Sequence, residues 1–405
     1  MINRRTLLQL GAATGISLQS GPILSKNREE TSLSNSVPGI RAYNQLGRTS
    51  LNISDISFGS SQSSDPDLVR HALDRGVTYF DTAESYRFGT SEVAIGEGLS
   101  GVRDRVILAS KTKAGSNADR TEIMRALEGS LRRLKTDYLD VYFNHAVNDV
   151  GRMRNEEWWE FTRVAKQQGK IRFRGMSGHG SRLVPCLDYA LEQDLVDVVL
   201  VAYNFGQDPD FLSRLKQGLH FSEIQPGLPR TLYKAKQKNV GVIAMKTLMG
   251  ARRNDIRRFE RDGGTFAQAA FRWVLSSPYV DGLVVSMTSE EDIDEYVGGS
   301  GASKMTESEI RLLEHYLALN GSRYCRHGCD VCIDVCPKNV EISEVLRTRM
   351  YASDYGNFEL GKTDYMSIDA DASACASCLD QPCKNICPVG ISISTWTRDA
   401  ARRFS

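Results

Sequence analysis

Eight of the nine cysteines in this 405-residue chain fall in its last fifth, as two quartets that each end in Cys-Pro: Cys325, Cys329, Cys332 and Cys336, then Cys375, Cys378, Cys383 and Cys387. Thiolates at this density hold metal, and two sets of four have the layout of two iron-sulfur clusters, which pass electrons one at a time. Zinc also takes four thiolates, but its structural sites usually pair two short Cys-x-x-Cys knuckles, whereas each quartet packs its ligands into about a dozen residues. Disulfides are the third chemistry if the chain is exported, although four bridges across such short spacings would strain their geometry. The ninth cysteine, Cys186 in SRLVPCLDYAL, reads as a small buried helix residue.

Three closely spaced cysteines followed by a fourth beside proline resemble the bacterial ferredoxin run, in which the fourth cysteine ligates the other cluster. One extra residue separates Cys325 from Cys329, and two separate Cys378 from Cys383. The resemblance implies two 4Fe-4S clusters with crossed ligation: one on Cys325, Cys329, Cys332 and Cys387, the other on Cys375, Cys378, Cys383 and Cys336. Between the quartets, EISEVLRTRMYASDY has helical apolar spacing and good helix formers. The gap therefore resembles the helical type of two-cluster ferredoxin rather than the small β-ribbon type. His327, inside the first quartet, is expected to face solvent from a loop, because four cysteines already fill that site.

The second chemical group is Asp81, Tyr86, Lys111 and His145. Asp81 closes the run TYFDT, Tyr86 follows in its loop, Lys111 closes the run VILASKT and His145 closes the run YLDVYFNHA. These belong to a series of eight β-rich runs between Ile53 and Met287, the others being ISDISFG, IRFRGMSG, VDVVLVAYN, VGVIAMKT and GLVVSM. Helical stretches such as PDLVRHALDRG, RTEIMRALEGSLRRL, EEWWEFTRVAKQQGK and FAQAAFRWVLSS separate several of them. That rhythm predicts an α/β fold, a (β/α)8 TIM barrel, in which chemistry collects at the C-terminal strand ends. YNQLGRTSLN reads as a hairpin plugging the bottom of the barrel. Singly, the four residues have ordinary readings as a cap, a rim aromatic, a solvent-facing lysine and a structural histidine. At successive strand ends they read as one site. Of Trp158 and Trp159, at least one is expected to pack against the barrel, and Gly263-Gly264 reads as a turn.

The segments FDTAESYRFGTSEVAIGEGL and SLRRLKTDYLDVYFNHA resemble the signatures of the aldo-keto reductase family, and the resemblance runs from about Arg41 to Tyr296. It implies a carbonyl reductase or alcohol dehydrogenase with an Asp, Tyr, Lys, His tetrad. Hydride addition builds negative charge on the carbonyl oxygen, which a proton or fixed donors must meet. Tyr86 would give the proton, with Lys111, held charged by Asp81, favouring its phenolate; His145 would orient the carbonyl. NADP(H) or NAD(H) would supply the hydride, which no side chain can do. The cradle departs from the family: Ser177-Gly178 stands where Ser-Asn is usual, Leu200 replaces a glutamine, and Met245, followed by Lys246, replaces a stacking tyrosine. Ser286 and Asp292 stand where a lysine and an arginine usually bind a 2′-phosphate, which an acidic group would repel. Gly59 and Ser60 keep the small approach used after the first strand.

Length and an apolar fraction of 41% fit one large domain plus a small one. The net charge of +1, with no basic stripe, gives no support to a nucleic-acid role. No apolar run is long enough to span a bilayer. Asn3-Arg4-Arg5-Thr6-Leu7-Leu8, followed by a weakly apolar stretch, resembles a twin-arginine export signal, which implies a periplasmic or otherwise exported protein; a disordered basic terminus of a cytoplasmic protein is the alternative. The expected organisation is a signal and linker at 1–38, the barrel at 39–300, a connecting helix at 301–320 and a mainly helical, ferredoxin-like iron-sulfur domain at 321–405. The expected partners are a small carbonyl or alcohol substrate and a redox partner protein. The competing class is an electron-transfer or binding protein whose barrel has lost nicotinamide chemistry.

Overall fold

The computed structural model describes residues 37–207, 227–250, 256–261, 264–301 and 304–404. The signal-like segment and Gly263 lie outside these residues. Strands β3 (Ile56–Gly59), β4 (Tyr79–Asp81), β5 (Ile107–Thr112), β6 (Leu139–Asn144), β7 (Ile171–Gly178), β8 (Val198–Ala202), β9 (Gly241–Met245) and β10 (Gly282–Ser286) close a barrel. Every neighbouring pair is parallel, and β10 pairs with β3 to complete the circle. Each strand falls within one of the eight runs read from the sequence.

The strands alternate their side chains between two cores. Val141, Phe143, Val198, Leu200, Ile243 and Val284 point inward, while Tyr142, Val199, Val201 and Val242 face the surrounding helices. Those helices are amphipathic. Residues Arg120–Leu134 turn Ile123, Leu127, Leu131 and Leu134 toward the strands, and Asp119 caps the start by accepting from the amides of Thr121 and Glu122. Trp158 is fully buried and stacks on Tyr142, and Cys186 is buried within the helix Leu183–Glu192.

β1 (Tyr43–Gln45) and β2 (Asn52–Ser54) form the expected antiparallel hairpin. Its Leu46, Leu51 and Ile53 complete the inner core from below. The tip is held close: Gly47 has φ +49°, and a Cβ there would sit 2.2 Å from the Gly241 nitrogen. Only glycine fits.

After β10 the described residues are helical, at Glu290–Val297, Glu307–Asn320, Val331–Asp334, Ile342–Ser353, Phe358–Met366 and Ile393–Phe404. Residues 38–405 form one compact unit. A continuous core joins Phe205, Met249 and Phe266 of the barrel half to Tyr316, Tyr324, Met350 and Tyr351. Phe266 stacks on Tyr316 with centroids 4.3 Å apart, and the Tyr316 hydroxyl donates to the Met249 carbonyl at 3.0 Å. Among the described residues no helix is long and apolar enough to cross a membrane.

Candidate active site

The C-terminal ends of β4, β5 and β6 bring the four residues together. Lys111 donates to Asp81 Oδ1 at 2.5 Å and to the Thr82 carbonyl at 2.6 Å. Both side chains are buried. Burial pushes the Asp81 carboxyl up and the Lys111 ammonium down, and each opposes the other's shift by its charge. Tyr86 opens a tight turn, Tyr86–Gly89, in which Arg87 and Phe88 take positive φ. Its ring meets His145 edge-on at 5.5 Å and lies 5.0 Å from the Lys111 ammonium.

The electrostatics of Tyr86 differ from the expectation. Its hydroxyl is pushed well above the ordinary tyrosine value, first by burial and then by the charge of Asp81. The phenol is thus held protonated, as a proton donor requires. His145 is pushed well below the usual histidine range by burial and by Lys111, Lys113, Arg152 and Lys246, so its ring is neutral. Its Nδ1 is buried without a partner.

Arg152, which nothing in the sequence marked, braces the rim. It donates to the carbonyls of Ala114 at 2.7 Å, Ala146 at 3.0 Å and His145 at 2.9 Å, and to Asn144 Oδ1 at 2.5 Å. One side chain thereby ties the loops after β5 and β6, which carry Lys111 and His145.

The expected cofactor residues fall along the same rim with varied partners. Ser60 Oγ is buried without a partner, whereas Ser61 and Ser286 share a hydrogen bond of 2.7 Å. Gly59 is required by the barrel itself, since a Cβ would sit 2.9 Å from the Val285 carbonyl oxygen. Ser177 Oγ accepts from the Ala146 amide at 3.0 Å. Leu200 is buried in the inner core, and Met245 packs against it from the rim. Lys246, at φ +57°, donates to the Tyr351 hydroxyl at 2.8 Å. Burial and the neighbouring Arg347 pull its ammonium down to about 7. Asp292 accepts from Thr288 at 2.5 Å, and Glu290, Glu291 and Asp292 all lie in the first turn of their helix.

His327 does not face solvent. It is 7% exposed, with Nε2 2.5 Å from the Tyr324 hydroxyl and Nδ1 2.6 Å from the His179 carbonyl. Packing of the C-terminal segment onto the rim encloses it, a long-range effect that its position between cysteines does not reveal.

All nine cysteines are free thiols. Cys336, Cys375, Cys378 and Cys383 line one cavity with about 400 Å³ of empty space. Arg398 holds that wall by donating to the carbonyls of Cys375 at 3.0 Å and Cys378 at 2.9 Å. Burial pushes the Cys325 thiol well up, and Cys332, Cys329 and Cys387 lie close enough to add to the rise. Among the described residues no three His, Cys, Asp or Glu side chains converge as ligands of a single metal ion.

A closed parallel barrel with an ionisable cluster at its C-terminal rim is the architecture of an oxidoreductase class. The aldo/keto reductase family model matches residues 45–262, more than half of the chain, and the chain belongs to that family. An oxidoreductase of Bacillus subtilis is 24% identical over 299 residues, covering 67% of this chain and 95% of its own. The L-glyceraldehyde 3-phosphate reductase of Escherichia coli is 24% identical over 325 residues, 69% of this chain and 93% of the relative. The fold is shared with an aldo-keto reductase of Bacillus halodurans solved in its holo form, at 20% identity and TM-score 0.53, covering 67% of this chain and 95% of that one. The protein is therefore an aldo-keto reductase oxidoreductase. These relatives are matched over nearly their whole length, while about a third of this chain lies outside the match.

Proposed function

We propose that this protein interconverts a small carbonyl compound and its alcohol at Tyr86, His145, Lys111 and Asp81, with a nicotinamide as hydride carrier, and that its two cysteine quartets hold 4Fe-4S clusters. The observation that carries the first part is the buried Lys111–Asp81 pair beneath Tyr86 and the neutral His145. In reduction, the protonated phenol of Tyr86 donates to the carbonyl oxygen as charge develops there, and neutral His145 supplies a second hydrogen bond. The Lys111–Asp81 pair fixes a positive end beneath the phenol, and Arg152 fixes the loops. A bound nicotinamide supplies the hydride. The unpartnered Ser60 hydroxyl, with Gly59, Ser177, Met245 and Ser286 along the rim, fits a dinucleotide there. The acidic first turn at Glu290, Glu291 and Asp292 disfavours an extra 2′-phosphate, which favours NAD(H) over NADP(H).

Crossed ligation is supported by the shared cavity of Cys336 with the second quartet and by the proximity of Cys387 to Cys325, Cys329 and Cys332. Thiols gathered in two such sets suit a donor set that a metal deprotonates on binding. Such clusters would exchange electrons with a redox partner protein or hold the C-terminal helices against the rim. The Arg4-Arg5 motif supports export by the twin-arginine route to the periplasm. One observation favours a second reading, an electron-transfer or binding protein without nicotinamide chemistry: Lys246, expected beside the nicotinamide, is already bonded to Tyr351 of the C-terminal segment.

The test is anaerobic purification followed by visible spectroscopy and NADH-dependent reduction of a carbonyl panel. Brown absorbance is expected, together with turnover that Tyr86→Phe lowers by about 10²-fold or more without changing the spectrum. Full activity in Tyr86→Phe would sink the catalytic assignment, and a colourless protein would sink the clusters.

A further inference from the structure

A second cavity lies where the barrel rim meets the helix Ile342–Ser353. It has about 380 Å³ of empty space and is lined by His179, Tyr324, Ser343, Arg347, Met350 and Trp396, among others, with no aspartate or glutamate in its wall. Four buried polar atoms on residues of that wall have no partner: His179 Nδ1, Arg326 Nε, Arg347 Nε and Ser343 Oγ. Arg347 is only 8% exposed and Ser343 5%. A buried polar group left without a partner costs about 1–3 kcal/mol, so four around one void are not a neutral outcome of packing.

The charges around this cavity lean one way. Arg347 pairs through its Nη2 with Glu344, which leaves Nε free to serve the cavity. Lys246 donates to the neutral Tyr351 hydroxyl and feels the charges of Arg347 and, more weakly, Asp364; with Arg347 it acts on His179. Arg326 also reaches the wall, with its charge toward Cys325, Cys387 and Cys329. His179 directly follows β7, as His145 of the tetrad directly follows β6, so both stand at the same end of the barrel. The cavity is thus at the catalytic rim.

We propose that this cavity receives an anionic oxygen group, a carboxylate or a phosphate, carried by the substrate, with Arg347 and Ser343 as hydrogen-bond donors and Lys246 as the nearby cation. The arginine fork matches both groups. The substrate role rests on the carbonyl reductase reading, while the binding site does not. It also assigns the C-terminal segment a part in specificity, since Ser343 and Arg347 lie beyond the part of the chain that the family model matches.

The test measures protection of the full chain from thermal unfolding by inorganic phosphate and by acetate, each against sodium chloride at equal ionic strength, without nicotinamide. At least one probe is expected to bind the wild type and Tyr86→Phe alike, and which of the two binds tells phosphate from carboxylate. Arg347→Gln combined with Glu344→Gln, which removes the pair together and leaves no buried lone charge, is expected to weaken binding at least tenfold. Ser343→Ala, a milder change that leaves both charges in place, is expected to weaken it several-fold. Equal protection by chloride, or unchanged binding in both variants, would overturn the site. Displacement of the probe by NADH would assign these cations to the dinucleotide and overturn the substrate role. Loss of turnover in Tyr86→Phe is read separately, so failure of either idea is seen without the other.

Discussion

Asp81→Asn probes the ion pair on which the candidate site stands. Lys111 Nζ and Asp81 Oδ1 are 2.5 Å apart, with side chains 1% and 4% exposed. At an effective dielectric constant of about 20, the attraction at that distance is about 7 kcal/mol, against a desolvation cost of several kcal/mol for each ion. The intact pair therefore contributes little net stability, but either charge alone is costly. Asparagine keeps the shape and leaves Lys111 buried with only neutral acceptors, the amide oxygen of the new side chain and the Thr82 carbonyl. A loss of about 3–5 kcal/mol is expected, read as a lower urea midpoint at unchanged slope. Burial lowers the Lys111 pKa and Asp81 is the largest force raising it, so the lone lysine of the variant loses its proton more readily when folded than at its unfolded value of 10.5. The unfolded chain then binds more protons, and the variant should gain stability as pH rises toward that value. Asp81→Leu with Lys111→Met, which removes both charges, should regain most of the loss and none of the turnover. An Asp81→Asn protein within about 1 kcal/mol of the wild type, with no alkaline recovery, would refute the reasoning.

The two pKa directions at the rim set the pH response of the reaction. Because His145 is pushed far down and Tyr86 far up, carbonyl reduction should stay level through the ordinary histidine range, whereas alcohol oxidation, which needs the phenolate, should still be climbing at pH 10; pH-rate profiles in both directions check this. Cys336→Ser should disturb the cluster proposed on Cys375, Cys378 and Cys383 and spare the one on Cys325, Cys329 and Cys332, as read by iron content and electron paramagnetic resonance. Gly47→Ala should unseat the hairpin from Gly241 and cost about 1–3 kcal/mol in urea unfolding, without altering the spectrum.

The barrel was legible because each inward and outward face leaves its own pattern within a few residues. LDVYFN alternates between two cores, and RTEIMRALEGSLRRL repeats its apolar positions every three or four. The placing of Asp81, Lys111 and His145 at strand ends follows from that pattern alone. What the sequence withheld depends on distant docking. Tyr351 is 105 residues from the Lys246 it contacts, and His327 is 148 from His179. No local periodicity records which helix face meets the rim, so the burial of His327 was missed. The acidity of Tyr86 was misjudged for a related reason. The pairing of Lys111 with Asp81 was expected, but the full burial of Tyr86, which raises its pKa most, depends on packing that no local pattern records.

The barrel is closed by β10 pairing with β3, Leu283 to Ser286 against Ile56 to Gly59. During synthesis, then, the first barrel strand waits for more than half of the chain to be made before its second neighbour exists, and the cysteine-bearing helices emerge later still. Chains grow at about 5–20 residues per second, and domains fold as units in that order. The rim is ready before the segment that covers it, so any cofactor of the barrel has a brief interval of open access on the ribosome, and the cysteines are the last residues to find their places.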